Sequence, residues 1–419
     1  MSPSEHDAPR APRRESGSSS IGHIPALDGV RGIAILLVLV EHFIRLPPHT
    51  LLERDVIRAA HIGWVGVDLF FVLSGFLITR ILVEAKDGPG YYRSFYVRRV
   101  LRIVPLYYAT LLVLFWSARH LALFDPADRT LLLTHEGWYW TYLVNVLIAR
   151  SHGWSATPGA ALHFWSLCIE EQFYLLWPFL VAALSQRRMR QLCIGALGVS
   201  LALRVALHML GESGTVSYVL TPTHIDPLVI GSWVALTAPT PDRMRELLAR
   251  WLTPAAVAGL LVLLAVFATA HGTAPKDTLA MATLGYPALG VLCAGLLVAA
   301  SLPSHHPWIA RGCSLLPLRQ LGRYSYAIYV LHLPLVYVAK PLGFDVPELA
   351  ARVHSDWLAQ GIYFALMLAA SIGLALVSWH LLEQPMLRLK RFFPMPERTT
   401  RVRQATVSTV PAATVAPSH

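Results

Sequence analysis

Three side chains able to move protons, His42, Asp68 and Glu170, lie inside stretches otherwise suited to hydrocarbon. A histidine with a carboxylate partner is the usual equipment for taking a proton from a hydroxyl near neutral pH. The imidazole accepts the proton, while the carboxylate fixes the ring tautomer and stabilises the imidazolium. Each charged group near the middle of a spanning helix costs about 2.5–3.5 kcal/mol, so each needs a reason. For one residue alone, an interhelical hydrogen bond, a snorkelling end or a water-lined cavity is as good a reason as a site. Counted at ~1.5 Å per residue, His42 lies about 16 Å up from Arg31, Asp68 about 9 Å down from Ile62, and Glu170 about 10 Å down from His163. In a core ~30 Å thick these fall in a similar layer of the outer half, and several at one depth point to a site. Glu171 and Glu41 are chain neighbours of Glu170 and His42, about 100° round their helices, and line other faces. A carrier's proton relay would want the same groups, so this constellation leaves enzyme and carrier both open.

The second constellation is cationic. Tyr91–Arg102 (YYRSFYVRRVLR) is aromatic and basic. By itself it reads as an interfacial helix held by anionic headgroups. Guanidinium forks also bind phosphate bidentately, and Arg31 at the inner end of the first helix with Arg99 and Arg102 would form such a clamp on the cytoplasmic side. A long ligand with phosphates at that face and its reactive end in the layer of His42 would join the two constellations, and an acyl thioester of coenzyme A has that shape. The H-x4-D spacing of His120 and Asp125 is a chance match at an outer helix end. The four cysteines (Cys168, Cys193, Cys293, Cys313) are scattered with no CxxC pair, so neither a disulfide framework nor a metal site is expected.

The elements that must position these residues follow from composition. The 419 residues are 55% hydrophobic and only 14% charged, against about 25% charged in an ordinary globular chain. Mean hydropathy is +0.50. Soluble globular, disordered and disulfide-stapled secreted proteins are excluded, leaving an all-α polytopic membrane protein. Apolar segments recur at roughly 30–46, 62–83, 103–120, 163–184, 191–210, 224–238, 252–271, 280–302, 321–340 and 359–382. Each approaches the ~20 residues that cross a bilayer, although 224–238 is short and carries Pro227, so it is broken or partly re-entrant. The stretch 131–149 is apolar enough to cross but is interrupted by His135, Glu136 and Asn145. With 131–149 kept on one side and the N-terminus cytoplasmic, 24 Lys and Arg fall inside and nine outside; letting it cross destroys that bias. The net charge of +10 is therefore a topological signal, with no nucleic-acid partner implied. Ten transmembrane helices with both termini cytoplasmic are expected, in a membrane domain over 23–391 between disordered tails at 1–22 and 392–419. The run after Arg31 is too interrupted by Glu41 and His42 to be a signal peptide's apolar core, so the mature protein is expected to keep its first span. No internal repeat is visible, which weighs against an inverted-repeat transporter.

In order along the chain the motifs resemble the acyltransferase 3 family, bacterial membrane acyltransferases of the O-antigen acetylase kind. ALDGVRGIAILLVLVEHF carries the Arg-x10-His spacing as Arg31 and His42. GVDLFFVLSGFLIT follows with Asp68, Ser74 and Gly75, and FYVRRVLRIVPLYY with Arg99, Arg102, Pro105 and Tyr107. HFWSLCIEEQFYLLWP places Trp165, Ser166, Glu170, Phe173 and Tyr174, and LGRYSYAIYVLHLP and LLEQP close the series. The resemblance spans roughly residues 24–391. It implies ten spans in the bacterial inner membrane, an acyl-CoA donor (acetyl-CoA by family default) as co-substrate, and a hydroxyl of a carbohydrate or glycolipid as acceptor. It also implies His42 as the essential histidine, Glu170 as its carboxylate partner, and Arg31, Arg99, Arg102 and Tyr107 on the donor side. Trp165 is placed with the substrate. The sequence departs from the family at His224, where arginine is frequent, and at Glu41.

The expected chemistry has His42 as general base, oriented by Glu170 or Asp68, and Ser74, Tyr174 or a backbone N–H as oxyanion donor. An acyl-histidine intermediate is the mechanistic rival. Some relatives carry an extracytoplasmic hydrolase-like domain that completes transfer. The short tail after 391 leaves no room for one, so this chain is expected to finish transfer within the membrane domain or hand the acyl group to a separate extracytoplasmic protein. A membrane carrier of an acyl-bearing or sugar-phosphate molecule, or an acyltransferase acting on a macrolide, is the alternative.

Overall fold

A computed structural model of the protein describes residues 24–121, 123–269 and 278–396. The expected tails lie outside the described residues, apart from 392–396. Among the described residues every regular element is helical. In chain order these are α1 (Pro25–Phe43), α2 (Leu51–Ala60), α3 (Val65–Ala85), α4 (Tyr91–His120), α5 (Pro126–Thr134), α6 (Glu136–Trp140), α7 (Val144–Arg150), α8 (Phe164–Ala183), α9 (Gln186–Met209) and α10 (Gly214–Val219). There follow α11 (Asp226–Thr237), α12 (Pro241–Leu247), α13 (Thr253–Thr269), α14 (Tyr286–Ala300), α15 (Pro307–Cys313), α16 (Leu316–Arg323), α17 (Ser325–Ala339), α18 (Val346–Val353), α19 (Asp356–Ser378) and α20 (Gln384–Arg388). Ser185 and Ser355 cap α9 and α19 by accepting a main-chain N–H three residues on, the usual way an orphan helix donor is satisfied.

Among the described residues six stretches are long and apolar enough to cross a bilayer: Leu51–Ala85, Tyr91–His120, Gln186–Met209, Pro241–Thr269, Met281–Ala300 and Asp356–Phe392. A seventh forms if Ser325–Leu342 and Val346–Val353, bent by 48°, count as one crossing. The remaining three of the ten expected segments fall short for identifiable reasons. The 19 residues of α1 and 20 of α8 have the length but carry Asp28, Arg31 and Glu41, and Glu170 and Glu171, respectively. With 12 residues, α11 reaches only ~18 Å. The stretch 131–149 breaks into α5, α6 and α7, none long enough to cross, in agreement with its charge pattern. It is pinned to α4, where the hydroxyls of Tyr107 and Tyr108 donate to the carbonyls of Tyr139 (2.7 Å) and Trp140 (2.9 Å).

The polar-bearing helices occupy the middle. α1 packs against α3, α14, α15, α16, α17 and α19, and α3 against α1, α8, α11 and α14. By contrast α9, α13 and α19 present exposed Ile194, Val199, Leu260, Leu261, Leu264, Leu366 and Leu374, an apolar surface suited to lipid. At the crossing of α3 and α11 the backbones touch: a Cβ on Gly75 would lie 1.9 Å from the Leu228 carbonyl oxygen, and one on Gly231 would lie 2.0 Å from that of Val72. Small residues allow such approach where helices pack without hydrophobic drive between them. One buried ion pair ties the outer helix α9 inward: Arg204 bonds Asp226, the Ser200 hydroxyl (2.8 Å) and the Thr223 carbonyl (2.7 Å). Both charges are fully buried, and their mutual pairing and hydrogen bonding is what makes that tolerable.

Candidate active site

A cavity of about 320 Å³ opens between α1, α3, α4, α8 and α17. Arg31, Arg99 and Arg102 line one part, with Ser74, Glu170, Glu171 and Tyr174 beyond, and Ser166, Tyr326 and Tyr329 along the α17 side. The sequence thus brings together six of its expected residues: Arg31, Ser74, Arg99, Arg102, Glu170 and Tyr174. Helical spacing explains part of this, since Arg99 and Arg102 are three apart on α4, and Glu170 and Tyr174 four apart on α8, each pair on one face. Oε1 of Glu170 accepts hydrogen bonds from both the Ser74 and Tyr174 hydroxyls, which hold the carboxylate against α3. The Arg99 guanidinium lies over the Tyr174 ring at 5.3 Å. Arg31 pairs with Asp28 at 3.3 Å on its own helix.

A second cavity, about 400 Å³, adjoins the first and shares Arg31 and Arg102 with it. Its other walls are Asp28, Arg319, Gln320, Gly322, Arg323 and Trp379. Four guanidiniums around one space form an anion site, and only two belong to the clamp expected from sequence. Arg319 and Arg323 come from α16, which runs close along α1 because Gly32 and Gly322 leave no Cβ between the backbones.

His42 and Asp68 do not line either cavity. The single depth layer expected for His42, Asp68 and Glu170 is not observed. Ser74 follows Asp68 by six residues on α3, about 9 Å further inward, and Glu170 is bonded to Ser74. The expectation took His163 as a surface boundary, whereas His163 is only 3% exposed, so α8 starts inside the protein. Asp68 faces His224, with 3.3 Å between Oδ1 and Nε2, in a box formed by the rings of Phe71, Trp165, Tyr218 and Tyr286. Trp165 is therefore a wall of that box, and Tyr107, fully buried on the Tyr139 carbonyl, is a brace between α4 and α6. Neither lines either of these two cavities.

His42 sits one residue from the C-terminal end of α1. Its Nδ1 is 2.9 Å from the Val38 carbonyl, which can only accept, so Nδ1 carries the proton and Nε2 the lone pair that a general base requires. A main-chain carbonyl can therefore fix the tautomer for which a carboxylate was expected. The ring meets that of His332 edge-on at 5.0 Å, and His332 meets His163 at 4.9 Å. Behind them Tyr329 bonds the Ser166 hydroxyl, and both line the first cavity. Of the residues sequence reasoning left without a role, Arg323, Tyr326, Tyr329 and His332 recur every three positions in LGRYSYAIYVLHLP, a spacing that keeps successive side chains on adjoining helix faces.

Comparison with known proteins identifies the family. The sequence model of a family described as an acyltransferase domain, the acyltransferase 3 type, matches residues 24–377. The "Putative peptidoglycan O-acetyltransferase YrhL" of Bacillus subtilis (strain 168) is 30% identical over 389 residues, 87% of this chain and 55% of that protein. The peptidoglycan O-acetyltransferase OatA of Listeria monocytogenes (serovar 1/2a) is 27% identical over 379 residues, 87% of this chain and 56% of that protein. The chain thus spans a little over half the length of these relatives. No solved structure matches. With its motifs in register from the first helix to the penultimate one, the chain belongs to the acyltransferase 3 family of membrane acyltransferases.

Proposed function

We propose that the protein is a membrane O-acyltransferase that moves an acetyl group from acetyl-CoA to a hydroxyl of a cell-envelope carbohydrate polymer, peptidoglycan being the acceptor named for its relatives. One observation carries the reading: the four-arginine cavity adjoins, through Arg31 and Arg102, a second cavity that runs to Ser74, Glu170 and Tyr174. That shape suits a donor whose phosphates stay with the guanidiniums while its thioester arm lies along the apolar wall of Phe70, Leu77 and Ile81. In this reading the donor approaches from the cytoplasm and the acceptor from the opposite face of the bacterial inner membrane. The chain crosses ten times with both ends inside. This is supported by the charge bias and by α1 and α8, whose polar residues are the site's own.

His42 Nε2 takes the proton of the acceptor hydroxyl as its oxygen attacks the thioester carbonyl. The Ser74 and Tyr174 hydroxyls each give their one proton to Glu170, so either must turn from that carboxylate to donate to a developing oxyanion. Arg99 over Tyr174 couples the cationic end to that group. Collapse of the adduct expels the thiolate of CoA, which recovers the proton. Attack by His42 itself, giving an acyl-histidine, is the other order of events. The test uses purified protein in nanodiscs with radiolabelled acetyl-CoA, wild type against His42→Ala. Free CoA released only by the wild type supports transfer, and label retained on the protein selects the covalent route. Equal donor binding with no consumption, even after cell-wall glycan is added, would favour a carrier.

A further inference from the structure

The mechanism so far uses one imidazole of three. His332 on α17 is fully buried, with Nδ1 2.6 Å from the Tyr329 carbonyl. That contact places the proton on Nδ1 and the lone pair on Nε2, which has no hydrogen-bond partner among the described residues. The adjacent His163, also buried, has Nε2 3.1 Å from the Val330 carbonyl, so its lone pair is on Nδ1, again without a partner. With His42 held by Val38, three imidazoles stand in a row at 5.0 and 4.9 Å, each anchored through one N–H to a main-chain carbonyl.

Unpartnered buried polar atoms are uncommon and call for an explanation. Packing does not supply one, because phenylalanine at either position would fill the space without stranding an acceptor. Metal binding does not supply one either: the described residues contain no group of three or more His, Cys, Asp or Glu able to hold an ion. A proton acceptor beside a general base does account for them. Resting on the transfer reading above, we propose that His332 is a second functional imidazole, which accepts from His42 the proton released by the acceptor hydroxyl and returns it for the leaving thiolate.

The step balances. The acceptor O–H proton passes to His42 Nε2 as the new C–O bond forms, then, once a ring turn brings the two nitrogens within hydrogen-bond reach, to His332 Nε2, leaving His42 neutral and His332 an imidazolium whose Nδ1–H still binds Tyr329. When the C–S bond breaks, the proton returns through His42 to the sulfur. His163 extends the row towards Tyr329, whose ring lies 5.3 Å away, and helps hold His332 in place. Since His332 acts through His42, it is a positioning residue for that base.

The experiment measures acetyl-CoA turnover of wild type, His332→Gly and His332→Gln in nanodiscs, with imidazole or pyrazole added. The two azoles are nearly equal in size, but pyrazole is a far weaker base. The expected result is a kcat lowered about 100-fold in both variants. The donor KM should stay within about twofold of wild type. Imidazole should restore the glycine variant and pyrazole should not. Equal restoration by both azoles, or a glutamine variant with wild-type turnover, would overturn the proposal. The size-matched glutamine variant decides the matter if the glycine variant fails to fold. A wild type that never consumes acetyl-CoA, with or without glycan, would overturn the transfer reading and this proposal with it; an active wild type beside an active glutamine variant would overturn this proposal alone.

Discussion

The arginine and histidine ends of the protein are built from different chemistry. At the first stand Arg31, Arg102, Arg319 and Arg323, around a cavity of about 400 Å³ with Asp28 in its wall. At the second stand His42, His163 and His332, each fixed by a main-chain carbonyl through one ring nitrogen. Permanent charge suits holding an anion, because it does not change during a reaction. Imidazole suits chemistry, because it exists in two forms separated by one proton. Glu170, tied to Ser74 and Tyr174, stands between. The division implies that binding and turnover are separable by mutation.

The largest expected effect is at the histidine end. His42→Ala should lower turnover about 10³-fold, the scale of a lost general base, while donor affinity measured by equilibrium binding stays at the wild-type value. Arg102→Ala removes the guanidinium common to both cavities. A charge-assisted hydrogen bond of about 1.5–3 kcal/mol corresponds to a donor KM raised roughly 10- to 100-fold, with kcat little changed. Arg323→Ala should act in the same direction but less, about 3- to 10-fold, because this guanidinium also packs on Trp379 at 5.1 Å. Its effect should shrink at high ionic strength, which a salt series on KM would reveal. An effect no larger than that of Arg323→Ala, but on the other parameter, belongs to Tyr174→Phe, which removes one of two hydroxyls on Glu170 and keeps the ring under Arg99. A kcat lowered about 3- to 10-fold with unchanged donor binding is expected, and a KM effect instead would blur the division.

Much of this was legible in the sequence. Composition and charge bias fixed the all-helical membrane character and kept 131–149 on one side, and it does fold as three short helices. Part of the first cavity was readable because Arg99 with Arg102, and Glu170 with Tyr174, share helix faces through local spacing, whereas Glu171, expected on another face, lines the same cavity. Relations between helices were not readable. The depth of Glu170 depends on where α8 begins relative to the surface, and a buried His163 shifts it inward of Asp68. Arg319 and Arg323 reach the second cavity only because glycines let α16 lie against α1, and His332 meets His42 only through the crossing of α17 and α1. Such registers are set by tertiary packing, which no periodicity within one segment records. Tyr107 and Trp165 carried the right motif positions, and their packing gives them structural contacts.

The central claim is that the arginines hold the donor and the histidines do the chemistry. Donor affinity and single-turnover rate of Arg102→Ala and His42→Ala, measured side by side in the same nanodiscs, test it most directly. The account requires Arg102→Ala to weaken binding and, at saturating acetyl-CoA, to transfer at near the wild-type rate, with His42→Ala binding normally and transferring nothing measurable. If both variants lose the same quantity, whether affinity or rate, the two ends are one site and the account is wrong.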